Sequence, residues 1–234
     1  MTAIMKRELA AYFYAPIGYI YLGVIYFLSG YFLVTGVLLS NSTVLTPVFS
    51  VLINIIMVLT PLLTMRLMSE DRRRHTDQAL LTAPVTLTGI VLGKFFAAAL
   101  VYIAGVSVTL IYALVLNIFA RINWAALWGN YIGILLLGFS FISIGQFISS
   151  LTENQTIAAI GGYAAMLGVF LLDAIPSVIP IPVLATVING ISFLRRYTPI
   201  THGILGLGDL FFFISVSGIF LFLTTRVLEK RRWS

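Results

Sequence analysis

Between Ile17 and Leu39 the chain carries no charged side chain, and apolar runs of similar length recur along it. A helix rises 1.5 Å per residue, so about 20 apolar residues cross the roughly 30 Å of hydrocarbon in a bilayer. Lipid offers no partner to backbone N–H and C=O groups. A crossing segment must therefore be a helix or part of a closed barrel. Barrel strands alternate apolar and polar over about 10 residues, whereas these runs are continuous, so an all-α polytopic membrane protein is expected. Composition agrees, with 60% hydrophobic and 9% charged residues where a soluble domain carries about 25% charged. Cysteine is absent, which removes disulfide and thiol chemistry.

Six transmembrane helices are expected, at about 17–39, 47–67, 90–119, 127–151, from the 152–155 turn to 172, and 210–228. Residues 1–15 mix Lys6, Arg7 and Glu8 with Leu9, Tyr12, Phe13 and Tyr14, which suits an amphipathic interfacial helix. No cleavable leader is read there, so the first span is expected to act as its own insertion signal. Residues 69–85 are expected to form a short polar helix between spans 2 and 3. Ser69 would cap it, Glu70 and Asp71 would sit at its positive end, and Arg72, Arg73 and Arg74 follow. Pro84 discourages its continuation. A stretch of this kind serves equally as a solvated loop or as a handle for a partner in the water. Residues 173–208 are broken by Pro176, Pro180, Pro182 and Pro199 yet stay apolar, so short outer helices, interfacial or re-entrant, are expected.

Finer features follow from local chemistry. Thr152 and Gln155 fit a capping box ahead of span 5. Thr60-Pro61 should loosen or kink span 2, and Gly129, Gly133 and Gly138 should let a neighbour approach span 4. Tyr19, Tyr21 and Tyr26 read as headgroup-level belt residues, with an inner opening as the alternative.

Six crossings put both termini on one side, and charge says which. Lys6, Arg7, Arg66, Arg72, Arg73, Arg74, Lys94, Arg226, Lys230, Arg231 and Arg232 lie on the side of the termini, against Arg121, Arg195 and Arg196 opposite. By the positive-inside rule the termini and residues 69–85 are cytoplasmic. The net charge of +6 is then a topology signal, and no nucleic-acid partner is expected.

Nothing in the spans resembles a catalytic centre. The two histidines, His75 and His202, fall on opposite sides, and there is no HExxH or GxSxG motif. Gly89 to Lys94 is a near-miss to a phosphate loop: its glycines are one residue too close, and Phe95 stands where Ser or Thr would hold magnesium. The simpler reading is packing glycines and an anchoring lysine. Neither enzymatic activity, nor a metal, nor a cofactor bound by this chain is expected. Mid-span ionisable residues of the kind found in pumps are missing. The polar side chains there are mild. Asn54 and Thr60 in span 2 and Gln146 in span 4 read as interhelical hydrogen bonders or as lining for a substrate path.

Taken together in order, four pieces carry a resemblance. They are Met5-Lys6-Arg7-Glu8-Leu9 ahead of Pro16; Ser69-Glu70-Asp71-Arg72-Arg73 with Leu80-Leu81-Thr82-Ala83-Pro84-Val85 and Val91-Leu92-Gly93-Lys94; Ser149 to Gln155; and Arg226 to Trp233. Over nearly its full length the chain resembles the ABC-2 type transporter permeases, in the six-span branch of gliding-motility and copper-enzyme-maturation permeases. It departs from them at His75-Thr76, where the family commonly carries glycine in an E-x-G-T run. The resemblance implies an N-terminal connector helix, a cytoplasmic coupling helix at 69–85, and a single transmembrane domain over 1–234. It implies ATPase-subunit contacts through Glu70, Asp71, Arg72, Arg73, Arg74, Thr76, Leu80 and Leu81. Two copies, or one with a sister permease, would pair in a bacterial or archaeal inner membrane. Two separate cytoplasmic ATPase subunits would bind ATP and magnesium and drive export. Alternatives are an energy-independent channel or carrier, and a membrane anchor that transmits force.

Overall fold

The computed structural model describes residues 1–40, 42, 44–73, 86–119, 122–178, 190–201 and 206–232, with backbone alone over 173–178. Among them every regular element is helical. The N-terminal helix α1 is Thr2–Tyr14. Helix α2, Pro16–Leu33, starts on a proline whose fixed φ suits the first turn, and its end widens into a π-helical turn, Val34–Leu38. Next come α3, Thr46–Thr64, with Pro47 in its first turn, and α4, Arg66–Arg73. Helices α5, Leu87–Val106, and α6, Val108–Phe119, are followed by α7, Trp124–Leu151. Helix α8 is Gln155–Val178, α9 is Phe193–Thr201, and α10 is Leu207–Arg232.

Six stretches are long and apolar enough to cross a membrane: Pro16–Leu38, Thr46–Arg73, Leu87–Phe119, Trp124–Leu151, Gln155–Leu172 and Leu207–Arg232. The chain is therefore built as a multi-pass membrane protein. Helix α7 is its hub, packed against α3, α5, α8, α9 and α10, while α10 turns most of its surface outward. Small residues let the neighbours close in. A methyl at Gly138 would overlap the Tyr102 ring of α5, whose hydroxyl donates to Ile134 O one turn earlier. At Gly133 a methyl would come within 2.8 Å of Ile200 and 3.0 Å of Tyr197 on α9. Gly145 likewise receives Thr64 of α3, and Gly162 of α8 approaches Pro61. With no difference in apolarity between lipid and side chain, close packing of this kind is what holds spans together.

Several boundaries depart from expectation. Ser69 is not a cap: the helix arrives from span 2, Ser69 lies inside α4 fully buried, and its hydroxyl donates back to Met65 O. Glu70 and Asp71 consequently fall in the second half of a helix rather than at its positive end. The expected polar helix at 69–85 is, over 69–73, the inner extension of span 2; its remainder lies outside the described residues. The capping box at Thr152 is also replaced. Helix α8 begins at Gln155, and Asn154 caps it by accepting the Thr156 N–H at 2.8 Å, while Thr152 accepts the Asn154 N–H at 3.2 Å. Helix α3 runs through Pro61 and is interrupted one turn later, at Met65. Span 3 starts earlier than expected, at Leu87, where the Thr86 hydroxyl accepts the Gly89 N–H. It is broken at Ser107, which bonds Ile103 O at 2.7 Å and Tyr131 Oη at 3.1 Å.

At the end of the bundle away from the termini, α9 supplies the short helix expected within 173–208. It buries Phe193, Tyr197 and Ile200 against the hub. Asn130 of α7 donates to Thr201 O at 3.0 Å, and Arg196 joins Asp209 of α10 at 3.1 Å.

Candidate functional site

The terminal end of the bundle gathers the charge. Lys94 of α5 is 1% exposed, in an environment where an unpaired ammonium would cost several kcal/mol. Its three N–H bonds find three acceptors: Asp71 Oδ2 at 2.5 Å, Glu8 Oε1 at 3.2 Å, and the carbonyl of Leu67. Asp71 and Leu67 belong to α4 and Glu8 to α1, so a single ammonium clasps three helices. Around it Arg7 meets Glu8 at 2.6 Å and Asp71 at 3.5 Å, and Arg66 meets Glu70 at 2.5 Å one turn along. Three basic and three acidic groups balance. Burial works against charge on Arg7, but the hydrogen bond it donates to Glu8 and the charges of Glu8 and Asp71 outweigh it, holding its pKa above the ordinary value.

Packing reinforces the clasp. Gly93 faces α1, where a methyl would stand 3.2 Å from both the Ile4 side chain and Met1 O. The Tyr12 hydroxyl of α1 donates to Leu63 O of α3 at 2.7 Å, and its burial pushes the phenol pKa well up. The phosphate-loop near-miss thus resolves into two structural roles: Gly93 admits α1, and Lys94 ties it down.

A second device sits beside the first. At the Met65 interruption Ser149 of α7 inserts into the backbone ladder. Its Oγ accepts from Met68 N at 3.1 Å and Ser69 N at 3.2 Å, and donates to Met65 O at 2.9 Å. One hydroxyl therefore satisfies the groups freed by the break. Arg72 extends the joint by pairing with Glu153 at 2.6 Å and donating to Leu151 O at 3.2 Å. Arg231 of α10 donates to Ser150 O, which brings the C-terminal helix to the same end.

The residues singled out from sequence separate accordingly. Glu70, Asp71 and Arg72 are engaged within the chain, while Arg73 is exposed at its surface. Arg74, Thr76, Leu80 and Leu81 lie outside the described residues. Gln146 is an interhelical contact: its amide donates to Val91 O of α5 at 3.0 Å. Thr60 is buried but bonds its own helix, at Ile56 O. Among the described residues Asn54 makes no interhelical bond; it is exposed on α3 and donates to Ser50 O, also on the outward face. Of the tyrosines, Tyr19 and Tyr26 are exposed as a belt requires, but Tyr21 is 2% exposed and part of the core. Glu8 and Ser149 are functional candidates that sequence reasoning missed, and for Lys94 it gave an anchoring role without the partners. Their partners lie 23 to 86 positions away in sequence, where no local spacing rule reaches.

Compared with protein-family models and with curated proteins, the chain matches none.

Proposed function

We propose that this chain is the membrane subunit of an ATP-binding-cassette machine of the ABC-2 type. In this reading two copies, or one and a sister subunit, pair in a bacterial or archaeal inner membrane with both termini in the cytoplasm. Residues 1–15 are the connector helix and 69–85 the coupling segment. Separate ATPase subunits hold ATP and magnesium and push on that segment, and the spans answer by shifting between two packings. The observation that supports the reading best is the clasp at Lys94. It ties the N-terminal helix, the inner extension of span 2 and the start of span 3 into one body, so a load applied beyond Arg73 reaches three helices at once. The outward Ser50 and Asn54 on α3 supply polar groups to whatever faces that helix, a second copy or a substrate path.

The test is co-purification from native membranes in mild detergent, with ATP hydrolysis as the readout. A bound ATPase that is lost in Arg73→Glu, a variant that leaves the Arg72–Glu153 pair intact, is the expected result. A wild-type chain without associated ATP turnover would remove this reading in favour of a channel or an anchor.

A further inference from the structure

Between the start of α5 and the last turns of α10 the surface opens into a groove of about 570 Å³. Leu87, Val91 and Leu92 form one wall, and Leu221 and Phe222 the other. The groove faces outward, where the surrounding solvent for these helices is lipid. Its mouth is polar, with Thr225, Arg226 and Glu229 on α10. Arg226 has its guanidinium carbon 4.8 Å from the centre of the Phe222 ring and meets Glu229 at 2.5 Å through one of its nitrogens, while remaining more than half exposed. The stretch from Arg226 to Arg232 holds four basic residues against the single acid Glu229.

An apolar slot whose lining includes an exposed arginine, on a helix end that holds four basic residues against one acid, suits an amphiphile with an acidic head. We propose that the groove binds an anionic phospholipid of the leaflet on the side of the termini, with an acyl chain between α5 and α10 and the phosphate on Arg226. Basic pockets between spans at this depth attract anionic headgroups, each basic group contributing about a fivefold preference. The site also has a structural connection inward. Val91 belongs to a small buried cluster with Met68 of α4 and Leu228 of α10, against which Leu87 and Leu221 pack. The lipid would therefore complete the packing around α4 and bear on the same end of the bundle as the clasp.

Native mass spectrometry of delipidated full-length protein tests this, with dioleoyl phosphatidylglycerol and dioleoyl phosphatidylcholine as probes. Wild type should retain the anionic lipid about fivefold more strongly. Arg226→Gln should equalise the two, Glu229→Gln should widen the preference, and Leu92→Trp, which fills the slot, should weaken both. Equal retention by wild type, an unchanged preference in Arg226→Gln, or full binding by Leu92→Trp would each overturn the proposal. Displacement of the lipid by inorganic phosphate alone would overturn it too, by reducing the site to an anion contact.

Discussion

At the scale of the residue, Lys94 is the side chain on which most depends. Its ammonium is removed from water and every donor is used, so the arrangement is stable only while all partners are present. Lys94→Met removes the buried cation and leaves two carboxylates, Glu8 and Asp71, to share Arg7 in a nearly buried site. The expected loss is about 3–5 kcal/mol, seen as a lowered melting temperature in detergent. Lys94→Met with Asp71→Asn should recover part of it, because the balance of acidic and basic groups is restored. A single mutant as stable as the double would show that the cluster is a surface pairing of little weight. Glycine gives a second contrast. Gly138→Ala must displace the Tyr102 ring and should cost about 1–3 kcal/mol, whereas Gly168→Ala, with nothing within 4 Å, should be neutral or slightly stabilising. Thermal melting of the two variants side by side checks the difference.

At the scale of the element, the decisive feature is the joint between α3 and α4. A helix interrupted at Met65 frees backbone groups that lipid cannot satisfy, and Ser149 takes them up from the neighbouring span. Ser149→Ala should cost about 1–3 kcal/mol and raise amide exchange at Met68 and Ser69. Unchanged exchange at both amides would mean that the break is held by something else. The same joint explains why helices were legible in the sequence and their ends were not. Length and apolarity alone determine that 46–73 crosses, since both act through the chain's own segment. Whether Ser69 opens a new helix or sits inside an old one depends on the segment before it: from Leu62 onward no glycine or proline interrupts the run, and Leu63, Leu67 and Met68 continue its buried face. At the 152–155 turn two candidates compete, Thr152 and Asn154. Thr152 closes α7 and α8 begins only at Gln155, which leaves the cap to Asn154. Lys94 was placed at the correct end from charge, but its burial depends on α1 folding back, which no periodicity in α5 announces.

At the scale of the whole molecule, the terminal end is interlocked: α1, α4 and α5 through Lys94, α4 and α7 through Ser149 and Arg72, and α7 and α10 through Arg231. The opposite end is held by α9 and by Arg196 with Asp209. Because the chain has no cysteine, orientation is directly measurable. With an impermeant thiol reagent on intact cells, Ala125→Cys should label and Lys6→Cys should not; the reverse pattern would invert the topology. The interlock itself is most directly tested by pulsed electron resonance between spin labels at Lys6→Cys and Arg73→Cys, two exposed positions on either side of the clasp. A single narrow distance that broadens when Lys94→Met is added is the predicted result. A distribution already broad in the wild-type background, or one that stays narrow without Lys94, would contradict the view that this lysine binds the N-terminal helix and the inner end of span 2 into one rigid body.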